Sequence, residues 1–303
     1  MTVIVFLAAC SLAAFLLYGL YNSREVRFRT IRLHPAAGSG DGGGPVLKIL
    51  HLSDIHKGRF TGRGLDSLET LGGKVWDFVF VTGDLIEDDT GIEPAAEAIG
   101  KLKARYGKFA VLGNHDYFSL RPRNIAQWFK VIFGDAIENQ QSVICVPNDI
   151  DRLLEALERS GVRVLRNEVV EGVTEQGIPF QIFGIDDPCT EQDDPAGLYR
   201  RKQVEALRLV LIHCPLRLKN VRPIDPEIVM CGHTHGGQVR LPWLGALRTA
   251  SDAPRRAASG LISLDGCRVH ISSGIGAGIN FPIRFNSPPE ITELLLPQQY
   301  TRS

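Results

Sequence analysis

The 303-residue sequence contains no CxxC pair. Its six cysteines, Cys10, Cys145, Cys189, Cys214, Cys231 and Cys267, are scattered singly. This spacing argues against a disulfide framework and against a structural zinc site of the Cys type, and it fits free thiols in a reducing compartment. Cysteine is also a common small core residue, so Cys214 and Cys231 read as packing. Neither sign of charge is in excess. Lys+Arg and Asp+Glu number 34 each, which gives no bulk electrostatic argument for a nucleic-acid partner, and none is expected. Charge is missing altogether from Met1 to Ser23.

That uncharged run, MTVIVFLAACSLAAFLLYGLYNS, would cross a hydrocarbon core of about 30 Å at a rise of about 1.5 Å per residue. No basic residue precedes it, which argues against a secretory signal peptide. LAAC at Leu7–Cys10 resembles a lipoprotein cleavage box, but the apolar run continues well beyond Cys10. Arg24, Arg27, Arg29 and Arg32 follow at once, and the positive-inside rule puts this flank and all that follows in the cytoplasm. Residues 1–23 are thus expected to be a single-pass transmembrane anchor in the inner membrane. Residues 24–45 form a basic flank and a Gly-rich linker, PAAGSGDGGGP, and residues 46–303 form one cytoplasmic domain.

Within that domain five short apolar runs end in the same kind of residue. VLKILHLSD ends at Asp54 with His56 beyond it, and DFVFVTGD ends at Asp84. KFAVLGNHD ends at Asn114, His115 and Asp116, LRLVLIHCP at His213, and PEIVMCGHTH at His233 and His235. Runs rich in Val, Ile, Leu and Phe between Gly or Pro predict strands buried on both faces. Helical stretches between them, such as EPAAEAIGKLKARYG, predict an α/β architecture, whose ligands bind beyond the carboxyl ends of the strands. Five of the eight histidines sit at those ends, and His34, His51 and His270 do not.

Imidazole, carboxylate and amide oxygen together suit Mn, Fe or Zn. Asp54, His56, Asp84, Asn114, His213, His233 and His235 are too many ligands for one ion with an open position, and they suit two ions sharing Asp84 as a bridge. Two such ions activate water and clamp a phosphoryl oxygen, and with two carboxylates among the ligands the site stays net positive, favouring an anionic phosphoester.

SDIH, GDLIED, GNHDYF, the lone H of LIHCP and GHTHGGQ, in that order, resemble the metallophosphoesterase (calcineurin-like phosphoesterase) superfamily over about residues 46–296. The tail SSGIGAGINFPIRFNSPPEI resembles a bacterial subgroup of membrane-linked phosphodiesterases. The resemblance implies an α/β (α+β) fold, a two-sheet β-sandwich flanked by helices. It implies two divalent cations, manganese favoured. One would be held by Asp54, His56, Asp84 and His235, the other by Asp84, Asn114, His213 and His233. His115 would be the catalytic group, stabilising the phosphoryl oxygen or protonating the leaving group. Asp116, Arg59 and Gln238 read as turn groups or as polar neighbours of the ligands. The implied function is phosphodiester or pyrophosphate hydrolysis. Ile125, Trp128, Phe129, Ile132 and Phe133 recur at helical spacing, with Arg121, Arg123 and Lys130 beside them, and predict a helix packed on the domain or a membrane-touching lid. With the anchor this suggests an amphiphilic substrate such as UDP-2,3-diacylglucosamine, which membrane-anchored relatives cleave. The alternatives are a catalytically silent, metal-stabilised binding module and a phosphoprotein phosphatase. GDLIEDD and GNHDYF lack the arginine-bearing extensions of that last class.

Overall fold

The computed structural model describes residues 2–33, 46–59, 61, 63–121, 124, 126–127, 144–249, 254–277 and 282–297. The linker 34–45, His34, Ile125 and the stretch 128–143, with the expected helix of Trp128, Phe129, Ile132 and Phe133, lie outside the described residues.

The principal strands follow the apolar runs. In chain order they are β1 (Arg27–Arg32), β2 (Val46–Leu52), β3 (Phe78–Thr82), β4 (Lys108–Val111), β5 (Val162–Val164), β6 (Glu168–Val173), β7 (Pro179–Gly184), β8 (Leu207–Leu211), β9 (Ile228–Cys231), β10 (Gly260–Leu264), β11 (Cys267–Ile271) and β12 (Glu290–Pro297). They form two six-stranded sheets, ordered β1-β12-β2-β3-β4-β5 and β6-β7-β8-β9-β11-β10. The chain closes the first sheet by bringing β12 back between β1 and β2.

Alternation within each strand divides the apolar residues between two layers. Phe78, Phe80, Phe109, Val111, Ile182, Leu209, Leu211 and Met230 fill the space between the sheets. Val79, Val81 and Ala110 point to the other face, against Ile92, Ala95, Ala96 and Ile99 of α2 (Ile92–Gly100) and Leu153, Ala156 and Leu157 of α4 (Ile150–Arg159). Both faces are therefore dry, which is why these strands read as unbroken apolar runs. Each fully buried Leu, Ile or Phe contributes about 1.5–3 kcal/mol to this arrangement. One expected helix is shorter than its pattern: α2 stops at Gly100, because Lys103–Ala104 instead pairs in parallel with Val75–Trp76.

The uncharged N-terminal run forms α1 (Thr2–Asn22), whose side chains at 2–5, 8, 9, 12 and 16 fall outside the described residues. Among the described residues, no helix is long and apolar enough to cross a membrane. Phe6, Leu7, Leu17 and Tyr21 of α1 are more than half exposed. Its last turns dock on the segment 283–286. Gly19 lies where a Cβ would come within 2.1 Å of the Ile283 side chain, and Phe15 stacks on Phe285 at 4.7 Å.

Candidate metal centre

Strand register brings the motif residues together. β2, β3 and β4 are parallel, with Leu52 opposite Val81 and Thr82 opposite Val111. Asp54, Asp84 and Asn114 therefore leave the same end of the first sheet. In the second sheet Leu211 lies opposite Met230, so His213 and His233 leave side by side. The two edges are tied across the sandwich. The His213 Nδ1–H donates to the Thr82 carbonyl at 2.8 Å, and the His233 backbone N–H donates to Asp54 Oδ1 at 3.0 Å.

The turns that carry these side chains are strained. Asp54, His56, Asp84, His233 and His235 all have positive φ, between 48° and 70°. Left-handed backbone at a non-glycine residue costs about 1–3 kcal/mol and persists where surroundings over-determine it. Gly232 answers a different need, close approach. A Cβ there would lie 1.8 Å from Ser53 Oγ and 2.4 Å from Asp54 Oδ2.

Asp84 occupies the middle. Its Oδ1 accepts the His115 backbone N–H at 2.9 Å. Its Oδ2 lies 3.4 Å from His56 Nε2 and 3.3 Å from His213 Nε2. His56 Nδ1 lies 2.8 Å from Glu87 Oε2, to which it donates, and His213 Nδ1 is spent on Thr82. In the neutral rings both Nε2 atoms thus present lone pairs to a carboxylate oxygen. That arrangement is repulsive unless a proton or a cation lies between. Two further ring contacts are as close, His56 Nε2 to His235 Nε2 and His213 Nε2 to His233 Nδ1, each 3.2 Å.

The electrostatics agree. Burial lowers the His56 pKa, but the Glu87 hydrogen bond and the charges of Asp84, Glu87 and Asp54 outweigh it and raise the group to about 9. Burial also opposes protonation of His213, and Asp84 overrides it. A field that draws a proton onto a buried imidazole favours a divalent cation in the same place. Asn114 adds a second sign, because its Oδ1 is buried and has no hydrogen-bond partner among the described residues. The donor set fits two cations. Ligand atoms of Asp54, His56, Asp84 and His235 lie within 4.8 Å of one another, and so do those of Asp84, His213 and His233.

His115 stands beside this set. Its ring meets His56 edge-on at 4.8 Å, and its buried Nδ1 has no hydrogen-bond partner among the described residues. Burial lowers its pKa against the pull of Asp84 and Glu87, so the ring is neutral.

A family comparison decides what this geometry belongs to. The profile described as "Metallophos: Calcineurin-like phosphoesterase" matches residues 47–237. The chain belongs to the calcineurin-like phosphoesterase family. As a calcineurin-like phosphoesterase it is a metal-dependent hydrolase of phosphoric esters. It is 29% identical over 296 residues, covering 96% of this chain and 98% of the relative, to the "Uncharacterized metallophosphoesterase YkoQ" of Bacillus subtilis (strain 168). It is 28% identical to "Phosphodiesterase YaeI" of Escherichia coli (strain K12), covering 89% and 88%. It is 27% identical to "UDP-2,3-diacylglucosamine pyrophosphatase LpxG" of Chlamydia muridarum (strain MoPn / Nigg), covering 81% and 82%.

Several residues of this phosphoesterase site carry functions that the motifs alone left unread. Glu87, inside GDLIED, orients His56 through the Nδ1 hydrogen bond, the carboxylate support that a histidine would use if it held a metal. Asp116 latches two motifs together, accepting from the backbone N–H groups of Leu85, Ile86 and Gly113. Arg284, far along the chain and fully buried, donates to His235 Nδ1 at 3.1 Å. Arginine has only donors, so the neutral His235 ring carries its hydrogen on Nε2, and a cation there must displace it. Cys189 and Cys214 are buried free thiols. No cysteine has ligand spacing along the chain, yet Cys189, Cys214 and His233 place their ligand atoms within 4.8 Å of one another, because β8, β9 and the turn after β7 converge. His51 and His270 are structural, buried with their Nδ1 atoms 2.8 Å apart.

Proposed function

We propose that this phosphoesterase is a binuclear phosphodiesterase or pyrophosphatase acting on a membrane lipid or nucleotide-lipid substrate. Asp54, His56, Asp84 and His235 would hold one cation, and Asp84, Asn114, His213 and His233 the other. The observation that carries this reading is Asp84 Oδ2, placed 3.4 Å from His56 Nε2 and 3.3 Å from His213 Nε2, the nitrogens left without a hydrogen when the two rings are neutral. Two divalent cations, manganese favoured, supply Lewis acidity and an acidified water when bound. The chain's own contribution is orientation. Glu87 fixes His56, Thr82 fixes His213, and Asp54 fixes the His233 backbone. His115 remains neutral and offers one N–H to a phosphoryl oxygen or to the departing oxygen.

The lipid reading draws support from α1 and from one relative, and the diesterase reading from another. A helix with Phe6, Leu7, Leu17 and Tyr21 exposed is costly in water, and a bilayer would cover it. Arg24, Arg27, Arg29 and Arg32 would then lie on the cytoplasmic side, in front of a domain spanning 46–303. The YaeI relative is named a phosphodiesterase, and the LpxG relative a UDP-2,3-diacylglucosamine pyrophosphatase. The pyrophosphate of that lipid is the substrate to test first.

The full chain belongs in the assay, since α1 packs on the segment that carries Arg284. The detergent-purified protein should hydrolyse bis-p-nitrophenyl phosphate with Mn²⁺ and stop with EDTA. Asp84→Asn should lose bound metal. His115→Ala should keep it and lose about 10²–10⁴ in rate. Metal-loaded protein with no diesterase turnover would end the catalytic reading. Diesterase turnover without UMP release from UDP-2,3-diacylglucosamine would remove only that substrate.

A further inference from the structure

The GHTHGGQ motif runs directly into a small exposed hairpin. Strands Arg240–Leu241 and Gly245–Ala246 pair antiparallel, and the tip between them reads Pro242-Trp243-Leu244. Trp243 is fully exposed, at 104% of its reference area, and its φ is +63°. A bulky aromatic residue held in left-handed backbone at a loop tip, with none of the described residues covering it, is a doubly unfavourable placement in water. Leu241, Leu244 and Leu247 around it are 37%, 57% and 40% exposed. From Gly236 to Ser251 the sequence has no acidic residue, and the exposed Arg255 and Arg256 belong to a turn packed against the strand Gly245–Ala246.

The hairpin and α1 share one brace. Phe285 stacks on Phe15 and meets Tyr18 edge-on. Its carbonyl accepts the Arg240 backbone N–H at 2.9 Å, and its own N–H donates to the Gln238 carbonyl. Asn286 accepts from the Tyr18 hydroxyl and donates to the Arg240 carbonyl. The uncharged helix and the apolar tip are therefore fixed to the same two residues.

We propose that the tip Leu241–Gly245, led by Trp243, inserts into the interfacial layer of a phospholipid bilayer bearing anionic headgroups. This rests on the membrane-lipid substrate reading above and adds a bilayer contact independent of α1. Tryptophan is the residue whose apolar body and N–H suit that layer, and flanking leucines with nearby arginines complete the pattern. Anionic lipid is the occupant that matches apolar tip and basic flank together. The function follows from connectivity. The hairpin begins two residues after Gln238 and packs its Ala246 against Gly237, where a Cβ would lie 2.4 Å away. Arg284, next to Phe285, holds His235. The rim of the metal centre is thereby held at the bilayer surface, and an amphiphilic phosphoester would present its headgroup without leaving the membrane.

The test uses the full chain carrying Trp128→Phe, which leaves the buried Trp76 and Trp243 as the fluorophores. It is reconstituted into phosphatidylcholine–phosphatidylglycerol vesicles with bromine-labelled acyl chains. Emission from Trp243 should shift to the blue and be quenched by shallow bromine labels, and Trp243→Ser should remove that quenching. Trp243→Ser with Leu244→Ser should lower turnover of a vesicle-embedded phosphodiester by about tenfold or more, from the lost burial of two apolar side chains. Turnover of soluble bis-p-nitrophenyl phosphate should not change, which also shows that the variant is folded. Protein that floats with vesicles while Trp243 stays quenchable by aqueous iodide overturns the hairpin contact and leaves the anchor standing. Lipid quenching of Trp243 in protein that salt extracts from the vesicles supports the hairpin and overturns the anchor. Protein that never associates with vesicles overturns both, as does a lipid-free dimer that buries Trp243.

Discussion

Removing the Asn114 side chain should have opposite effects with and without metal. Its Oδ1 is buried and unpartnered among the described residues, a state that costs about 1–3 kcal/mol in a folded protein. Asn114 opens the short helix α3 (Asn114–Tyr117), where alanine is a better helix former by a few tenths of a kcal/mol. Asn114→Ala should therefore leave the metal-free protein as stable as the wild type, or about 1 kcal/mol more stable. With metal the balance reverses. Loss of a ligand oxygen should weaken binding at least as much as loss of an outer support does, about 10–100-fold, or about 1.4–2.8 kcal/mol. Above saturation that difference appears directly as lost stabilisation. At about 2–4 °C per kcal/mol the metal-induced rise in Tm should shrink by about 3–11 °C. Thermal melts in EDTA and in excess Mn²⁺, wild type beside variant, measure both quantities. A variant that melts well below wild type in EDTA yet keeps the full metal shift would refute the reasoning, because Asn114 would then be a structural residue.

Two further perturbations probe the scaffold. Gly232→Ala would force a methyl into the space of Ser53 Oγ and Asp54 Oδ2, so about 1–3 kcal/mol of stability and part of the bound metal should be lost; wild-type metal content by elemental analysis would count against the close-approach argument. The buried His51–His270 pair should make the fold acid-sensitive. Burial lowers both, His270 to about 3, so the unfolded chain takes up protons below about pH 6.5 while the folded chain does not. Stability present above that pH is lost as the pH falls toward 3, and for the two histidines together the loss between pH 8 and 5.5 is about 3 kcal/mol. Urea unfolding of a His51→Gln/His270→Gln variant should show that much less acid dependence than the wild type, and an unchanged slope would mean that the pair is not the sensor.

The chain order of the five motifs was enough to identify the family, and it proposed Asp54, His56, Asp84, Asn114, His213, His233 and His235 as a set of candidate ligands. Each follows a strand that is apolar on both faces, and such strands announce themselves locally. The N-terminal run was legible in the same way, as a helix, since composition alone specifies it. Tertiary structure decided what composition and spacing do not encode. Glu87 and Asp116 look like ordinary turn acids until the parallel register of β2, β3 and β4 sets them against His56 and the loop amides. Arg284 reaches His235 only because the segment 283–286 is pinned between α1 and the hairpin after Gln238. Cys189 and Cys214, which have no ligand spacing along the chain, meet His233 because three strand ends converge. Local patterns fix which residues leave a strand end, whereas the neighbours of each side chain depend on contacts between residues distant in the chain, and those are set only when the two sheets pack.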